Sequence, residues 1–306
     1  LTKGSRLLWR RGGALKETGR LEPALSDPVK AGLKPSAGIT DPEQTAATFV
    51  HSHNDHAYQI RLKVAPTPLG EHLHLHLFEA AEDVSLQSLG YTPDQAAAID
   101  KALSGPPGLF LAAFAVDSAA SLHRLAIASR LAQTGRLVIS LEHEIQYRSE
   151  LLVQIEIGPE PGDFETAVST ALEMGPDVLM VDGVREGDQI RTLLQAVTAG
   201  AITFAHIRES GAISAMERLL NEELSRIAFA DALLGIVERR TLHRLCDACK
   251  AAKEADGEEA RRLSVAQGTQ LYEPRGCEAC LDGFAGKRAA YGLWLPDEAL
   301  VRTLMK

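Results

Sequence analysis

Apolar and polar positions follow two different rhythms along the chain. Three short segments, 48–52, 58–64 and 72–78, alternate every second residue, which predicts a small antiparallel meander. From residue 93 onward, apolar strands and amphipathic helices follow one another, and this order predicts a parallel sheet covered by helices on both faces. Residues 1–46 show no clear period. The pattern therefore predicts an α/β protein with a small antiparallel domain before the larger sheet.

The region in which strands and helices follow one another begins with a helix over 93–103. Thr92 is its N-cap and Pro93 its first helical residue. Further elements are predicted as strands over 108–114, 136–141, 177–181 and 201–207, and as helices over 118–133, 163–174, 186–198, 211–220 and 224–235. Short strands and a final helix are expected in the tail, 242–306.

Composition restricts the class of protein. The 306 residues are enough for two domains with their own cores. A net charge of −9 argues against a general nucleic-acid binder and against binding to an anionic membrane surface. The longest apolar run, Gly108–Val116, is too short to span a bilayer. The start of the chain is basic, without the apolar core of a signal peptide, and lacks Met, which is typical of a fragment or an alternative start codon.

Four cysteines form two CxxC pairs near the end of the chain. Cys246 and Cys249 make the first pair, and Cys277 and Cys280 follow after 27 residues. Two such pairs can offer four thiolates tetrahedrally to Zn²⁺ as a closed structural site, in a protein of the reducing cytoplasm. The alternative is four reduced, buried cysteines. We predict a structural zinc ion.

Histidines cluster in the predicted meander, at positions 51, 53 and 56 and at positions 72, 74 and 76. His72, His74 and His76 share one face of a strand, so three imidazoles there would suit a transition metal. A half-buried strand with histidines on its wet side fits the same pattern. We favour this second interpretation, because histidines at alternate strand positions are not a defined ligand geometry.

Several segments, in order, resemble the ATPases of type II secretion and type IV pilus assembly. They are APTPLGEHLHLHLF (65–78), LGYTPDQ (89–95), LEHEIQY (141–147), GPDVLMVDGVRE (175–186), QAVTAGAITFAHIRESGA (195–212) and the two CxxC pairs. The resemblance covers about residues 48–300. It implies a RecA-like, P-loop NTPase-type sheet with helices on both faces, preceded by a small antiparallel α+β domain and followed by a zinc-binding element.

The same resemblance implies the organisation of the chain. Residues 1–46 would be a variable N-terminal segment and residues 47–104 a small PAS-like domain. Residues 105–306 would form the RecA-like domain, with the tetracysteine element at 242–292. The family forms rings, so a homo- or hetero-oligomer is expected.

The resemblance places the octet FAVDSAAS where this family has its phosphate-binding loop, G-x-x-x-x-G-K-[ST]. Phe114 and Ala119 replace the two glycines, Ala120 replaces the lysine, and Asp117 adds a carboxylate. Ser121 alone matches. Side chains at the glycine positions block close approach of the backbone to phosphate, and the lysine charge is missing.

The other three catalytic segments of the family are altered as well. Gly183 takes the place of the Walker B glutamate, with Asp182 one residue earlier. His143 takes the place of the acidic-box aspartate beside a retained Glu142, and Arg208 replaces the second histidine. Phosphoryl transfer depends almost entirely on these charges. The sequence therefore predicts a degenerate ATPase without ATP or Mg²⁺.

A remnant of a nucleotide site is expected at Ser118, Ser121, Asp182 and Arg61. Asp182 would bind metal only after a one-residue slip, and we interpret it as a capping or solvated residue. Arg61 matches a phosphate-contacting arginine of the family, or is an exposed strand residue paired with a carboxylate. His206, two residues before the family position, is interpreted as a packed or surface residue.

These observations predict a subunit that acts through protein–protein contacts in a secretion or pilus assembly system. Its expected partners are assembly proteins at the inner membrane and an active ATPase paralogue, without nucleic acid. It would be cytoplasmic and peripheral to the membrane through those partners. Two alternatives stay open. One is a divergent active ATPase using Asp182, Glu142 and Ser121, although Arg124, one helical turn beyond Ser121, does not supply the missing lysine. The other is a metal-binding regulator using the histidine face.

Overall fold

The computed structural model divides the chain into two compact units, residues 1–82 and 83–306. The residues described are 4–11, 14–41, 44–54, 56–79, 84–115, 119–160, 162–222, 225–280 and 282–304. Among them, no helix is both long enough and apolar enough to cross a bilayer.

The first unit contains an antiparallel hairpin, a helix and a three-stranded antiparallel sheet. Its elements are β1 (Ser5–Arg11), β2 (Ala14–Leu21), α1 (Pro23–Ser36), β3 (Ala46–His53), β4 (His56–Thr67) and β5 (Gly70–Glu79). The sheet buries Leu62 against Ala37 and Ile39, the residues that follow α1. This sheet confirms the predicted meander.

The second unit continues the alternation of strands and helices. Its elements are α2 (Pro93–Leu103), β6 (Leu109–Phe114), α3 (Ala119–Ala132), β7 (Val138–Glu142), β8 (Val153–Glu156), α4 (Asp163–Glu173), β9 (Val178–Val184), α5 (Gly187–Thr198), β10 (Ile202–Ile207), α6 (Ala212–Leu220), α7 (Arg226–Ala232), β11 (Leu233–Leu245), β12 (Ala251–Glu254), α8 (Gly257–Leu263), β13 (Gln270–Glu273), β14 (Phe284–Trp294) and α9 (Glu298–Leu304).

Seven of these strands form one sheet in the order β14-β11-β6-β10-β9-β7-β8. All neighbours are parallel except β14, which pairs antiparallel with β11. In β6, an interior strand of this sheet, every residue is buried. Leu109 and Leu111 face one core, and Phe110 and Ala112 face another, as expected for a parallel sheet with helices on both sides. The predicted α/β fold is confirmed.

The structure differs from the predicted organisation near the start. Residues 1–46 include β1, β2 and α1. A bulge between Leu7 and Leu8 interrupts the alternation of the hairpin, and prolines 28 and 35 lie inside the helix, so neither element shows a regular period. The unit boundary also precedes the predicted one at residue 104. Helix α2 belongs to the larger unit, because Ile99 and Leu103 pack in the same core as Phe110.

A second difference concerns the helix predicted over 224–235. Helix α7 ends at Ala232, and β11 begins at Leu233. The segment LLGIV is apolar throughout, and such a run does not distinguish a buried strand from a buried helix.

Candidate functional site

The altered catalytic segments meet at the carboxyl edge of the large sheet, where parallel α/β sheets place their ligands. Glu142 is the last residue of β7, Asp182 lies near the end of β9, and His206 lies near the end of β10. Alternate residues of a strand point to the same face of the sheet. Each of the three stands two positions after a residue on the face covered by α3, and these residues are Ser140, Met180 and Phe204. Their side chains therefore converge below the start of α3.

Arg124, in the second turn of α3, fills the space between the two carboxylates. Its Nη2 donates to Glu142 Oε2 at 2.6 Å, and its Nη1 lies 3.2 Å from Asp182 Oδ1. The second pair has ion-pair distance without hydrogen-bond geometry. The side chain of Arg124 is only 3% exposed and that of Glu142 4%. A single guanidinium thus pairs with two carboxylates in a site largely closed to solvent.

Glu142 is fully engaged by these neighbours. Ser140 Oγ lies 2.8 Å from its Oε1, and Gln154 Nε2 donates to the same oxygen at 2.9 Å. Arg124 occupies its other oxygen. The cavity beside this group has a volume of about 10 Å³, which is room for about one water molecule.

Asp182 is neither a cap nor a solvated residue, which corrects our interpretation of it. Its Oδ1 lies 3.1 Å from His206 Nδ1 as well as facing Arg124. His206 is buried, and its Nε2 lies 3.3 Å from the carbonyl oxygen of Phe114. Asp182 and His206 therefore link three neighbouring strands to α3.

A bulge lies at this point of β9. Val181 pairs with Ala205 and Val184 with Ile207, so Asp182 and Gly183 together oppose His206. Gly183 has a φ of +69°, a left-handed conformation that side chains rarely adopt. A glutamate at Gly183, where the resemblance places the Walker B carboxylate, would be strained on this backbone.

Burial raises the pKa of Asp182, but the hydrogen bond from His206 and the charge of Arg124 outweigh it. The pKa of Asp182 therefore lies well below its ordinary value. A carboxylate with a lowered folded-state pKa stabilises the protein above its unfolded pKa, and this contribution is lost as the pH falls through the folded value.

We expect Asp182→Asn to flatten the loss of stability in acid. Between pH 7 and pH 3, the wild-type free energy of unfolding should fall by on the order of 1–2 kcal/mol more than that of the variant. Urea unfolding at both pH values measures the difference. Asp188→Asn, at an exposed pair with Arg191, is the matched control and should follow the wild type. Parallel pH profiles of wild type and Asp182→Asn would contradict the assignment.

The remaining predicted positions fall around this group. Ser121 is buried, with its hydroxyl 3.5 Å from Arg124 Nη2, and Ala120 is buried in the core. His143 and Arg208 directly follow β7 and β10 and both approach Gly183. Asp117 and Ser118 lie outside the described residues.

The first unit carries the other predicted residues. Arg61 is half-buried on β4 and pairs across the sheet with His76 of β5. His72, His74 and His76 are exposed, as the wet-side interpretation expects. Within the described residues, these histidines do not gather three ligand atoms as the cysteines do.

The two CxxC pairs come together because of strand pairing. Cys246 follows β11 and Cys280 precedes β14, and these two strands pair antiparallel up to Leu245 and Phe284. All four sulfurs lie within 4.8 Å of one another. The Cys246–Cys277 separation is 4.0 Å and the Cys249–Cys280 separation 3.7 Å. Sulfurs bound tetrahedrally at about 2.3 Å stand about 3.8 Å apart, so the four residues fit a metal ion.

Arg124 is the site residue that sequence reasoning missed. The sequence relates it only to the missing phosphate-loop lysine, whereas its partners lie on β7 and β9. The spacing of Arg124 from its helix neighbours could have indicated that it is buried. Arg124 shares a helix face with Ser121 and Ala128, and Ala128 is fully buried. A charged residue on such a face requires a buried counter-charge.

Comparison with known proteins agrees with this fold. The type II/IV secretion system protein family matches residues 42–306. Type II secretion system protein E of Klebsiella pneumoniae is 28% identical over 245 residues, which cover 79% of this chain and 49% of that protein. Type IV pilus assembly ATPase PilB of Thermus thermophilus is 27% identical over 248 residues, which cover 79% of this chain and 28% of that protein.

A solved structure supports the fold. The crystal structure of the pilus retraction motor PilT with bound ADP matches with a TM-score of 0.68 at 20% identity, covering 100% of this chain and 80% of that chain. The fold is that of a RecA-like α/β protein of the P-loop NTPase type. The chain belongs to the type II/IV secretion system protein family. It spans about half the length of the type II secretion relative and 28% of PilB.

Proposed function

We propose that this chain is a catalytically degraded subunit of a type II secretion or type IV pilus-like assembly motor, acting through protein–protein contacts. The observation that carries the proposal is the burial of Arg124 between Glu142 and Asp182. These carboxylates stand at the edge where a relative with ATPase activity would place Mg²⁺ and the attacking water. Here the guanidinium of Arg124 occupies the space between them.

The chemistry of the site supports loss of turnover. Phosphoryl transfer needs a metal ion, a lysine on the phosphates and a base or water-positioning group. Ala120 replaces the lysine and Gly183 the glutamate. Mg²⁺ could reach Glu142 and Asp182 only by displacing Arg124, which would leave a guanidinium buried without a partner.

We also propose that Cys246, Cys249, Cys277 and Cys280 hold a structural Zn²⁺. The sulfur separations suit tetrahedral coordination, and four protein ligands leave no open position for chemistry. The ion would then fix the ends of β11 and β14 and the segment between them.

The intact fold with altered catalytic charges favours a role in assembly. We propose that the chain joins a ring, with copies of itself or with an active ATPase paralogue, and contacts assembly proteins at the inner membrane from the cytoplasm. The relatives named for type II secretion and type IV pilus assembly support this environment.

Nucleotide binding tests the proposed function. We expect isothermal titration of the purified chain with ATP and Mg²⁺ to give no affinity tighter than about 1 mM. Phosphate release should stay at the level of the blank, because the lysine, metal site and Walker B carboxylate are missing. The PilB ATPase of Thermus thermophilus, assayed in parallel, is the positive control.

Two results would contradict this proposal. Micromolar ATP binding with turnover abolished by Asp182→Ala would establish the divergent ATPase instead. A second metal equivalent per chain, lost in His74→Ala, would support the metal-binding regulator.

A further inference from the structure

Strands β11 and β14 continue past the rest of the large sheet as a two-stranded ribbon. β6 pairs with β11 only as far as Arg239, whereas β14 pairs with β11 up to Leu245. We call residues 240–245 of β11 and 284–290 of β14 the basic ribbon. It contains no acidic residue. Its cationic and imidazole residues are Arg240, His243, Arg244, Lys287 and Arg288.

One face of the basic ribbon combines positive charge with an exposed apolar side chain. Leu242 pairs with Arg288, and Arg240 pairs with Ala290. Residues directly opposite in an antiparallel pair lie on the same face, as do alternate residues of one strand. All four are exposed, and Leu242 is 52% exposed. This face therefore presents a leucine beside two arginines.

The carboxylates close to the basic ribbon lie at its ends. Glu238, which precedes the ribbon, is half-buried and accepts from the backbone N–H of Ala212 at 2.8 Å. Asp247, which follows it, pairs with Arg244, and Asp282 is exposed before the start of β14. Within the described part of the chain, the two exposed arginines of the ribbon face have no carboxylate at ion-pair distance.

The opposite edge of the same sheet carries the reverse charge. β8 is the last strand there, and the segment 149–177, which contains β8 and α4, has seven acidic residues and no Lys, Arg or His. We call this segment the acidic edge. Arg148 directly precedes it. The exposed carboxylates of the acidic edge belong to Glu150, Glu156, Glu160, Glu165, Glu173 and Asp177.

The acidic edge also exposes apolar side chains. Leu151 is 52% exposed and Val153 is 38% exposed. Glu150 and Glu160 lie on either side of β8, and among the described residues neither has a cation at ion-pair distance. The two edges of the sheet therefore match in kind and are opposite in sign.

We propose that the basic ribbon of one copy of this chain docks against the acidic edge of a second copy. Exposed apolar groups would be buried at the contact, and complementary charge would select its orientation. Because the two surfaces lie at opposite edges of one sheet, the contact is heterologous, and each copy can use both surfaces at once. Successive contacts of this kind close into a ring when the rotation between copies allows it. The proposal rests on the proposed function for the ring and names the surfaces that join its subunits.

A second copy suits the basic ribbon better than a polyanion does. Nucleic acid or an anionic membrane extends past the ribbon, over a chain whose net charge is −9, and repulsion from the rest of the chain opposes such binding. A second copy brings the acidic edge alone against the ribbon.

Sedimentation velocity of the full chain and of two charge-reversed variants tests the contact. Arg240→Glu with Arg288→Glu reverses the ribbon face, and Glu150→Lys with Glu160→Lys reverses the acidic edge. We expect the wild type to associate at about 0.05 M salt and to dissociate at about 0.5 M salt, because salt screens exposed charges. Each variant alone should associate at least tenfold more weakly. An equimolar mixture of the two variants should recover association, because each reversed surface then meets its opposite charge.

A matched control separates the contact from net charge. Arg261→Glu with Arg262→Glu, at two exposed arginines of α8, changes the net charge as much as the ribbon variant does and should associate as the wild type does. All these positions are exposed, so the variants should fold, which circular dichroism checks.

Several results would overturn the contact. They are a wild type that stays monomeric at low salt, wild-type association in the ribbon variant, and a mixture of the two variants that recovers nothing. Binding of labelled duplex DNA by a monomeric wild type, lost in the ribbon variant, would assign the ribbon to nucleic acid instead. ATP turnover would overturn the proposed function alone, and absence of both association and turnover would overturn this contact alone.

Discussion

Replacing Arg124 with methionine is expected to lower the free energy of unfolding of the larger unit by about 3–5 kcal/mol. Methionine keeps most of the side-chain volume but leaves Glu142 and Asp182 buried without a positive partner. The expected cost comes from these uncompensated carboxylates and exceeds that of an average substitution. Because the chain has two units, hydrogen exchange of the β7 and β9 amides measures the effect locally.

A matched pair of variants separates this effect from simple loss of charge. Arg191→Met breaks an exposed pair with Asp188 on α5 and should cost less than about 1 kcal/mol. Combining Arg124→Met with Glu142→Gln and Asp182→Asn should recover much of the lost stability, because no uncompensated carboxylate then remains. Equal effects of Arg124→Met and Arg191→Met would show that the Arg124 ion pairs contribute nothing special to stability.

The sheet was predictable because its strands carry strong local signals. Segments such as LFLAAF and VLMV are continuously apolar, and amphipathic helices separate them, so the order of elements follows from the sequence. The sequence pattern gave a wrong prediction where the type of element depends on tertiary contacts. LLGIV reads equally as helix or strand, and only its pairing with β6 and β14 decides between them.

The sequence predicts which catalytic residues the candidate site lacks, but it does not predict that Arg124 lies between the two carboxylates. The missing lysine and glutamate can be read from Ala120 and Gly183. The contact of Arg124 with Asp182 joins α3 to β9 across the fold, and no local residue pattern announces this tertiary contact. The sequence likewise indicates four metal ligands, whereas their meeting point depends on the antiparallel pairing of β11 with β14.

The largest loss of local stability is expected when a cysteine ligand is replaced. Zinc content should fall from one equivalent per chain to near zero in Cys277→Ser, because structural zinc binding in small domains contributes about 10–16 kcal/mol and needs all four ligands. Without the ion, the described part of the segment between β11 and β14 retains the two-stranded β12–β13 sheet, the short helix α8 and a few buried side chains such as Ala255 and Ala260. Such elements are not stable alone.

Hydrogen exchange locates this effect. In Cys277→Ser, and in the wild type after removal of zinc with a chelator, the amides of β12 and β13 should lose protection, while those of β6 and β10 keep theirs, because the core of the large sheet does not include the metal segment. Glu278→Gln, between two cysteines but outside the group of four ligand atoms, is the matched control and should retain zinc and protection. One equivalent of zinc in Cys277→Ser, or full protection of β12 after chelation, would show that the four cysteines do not hold a structural ion.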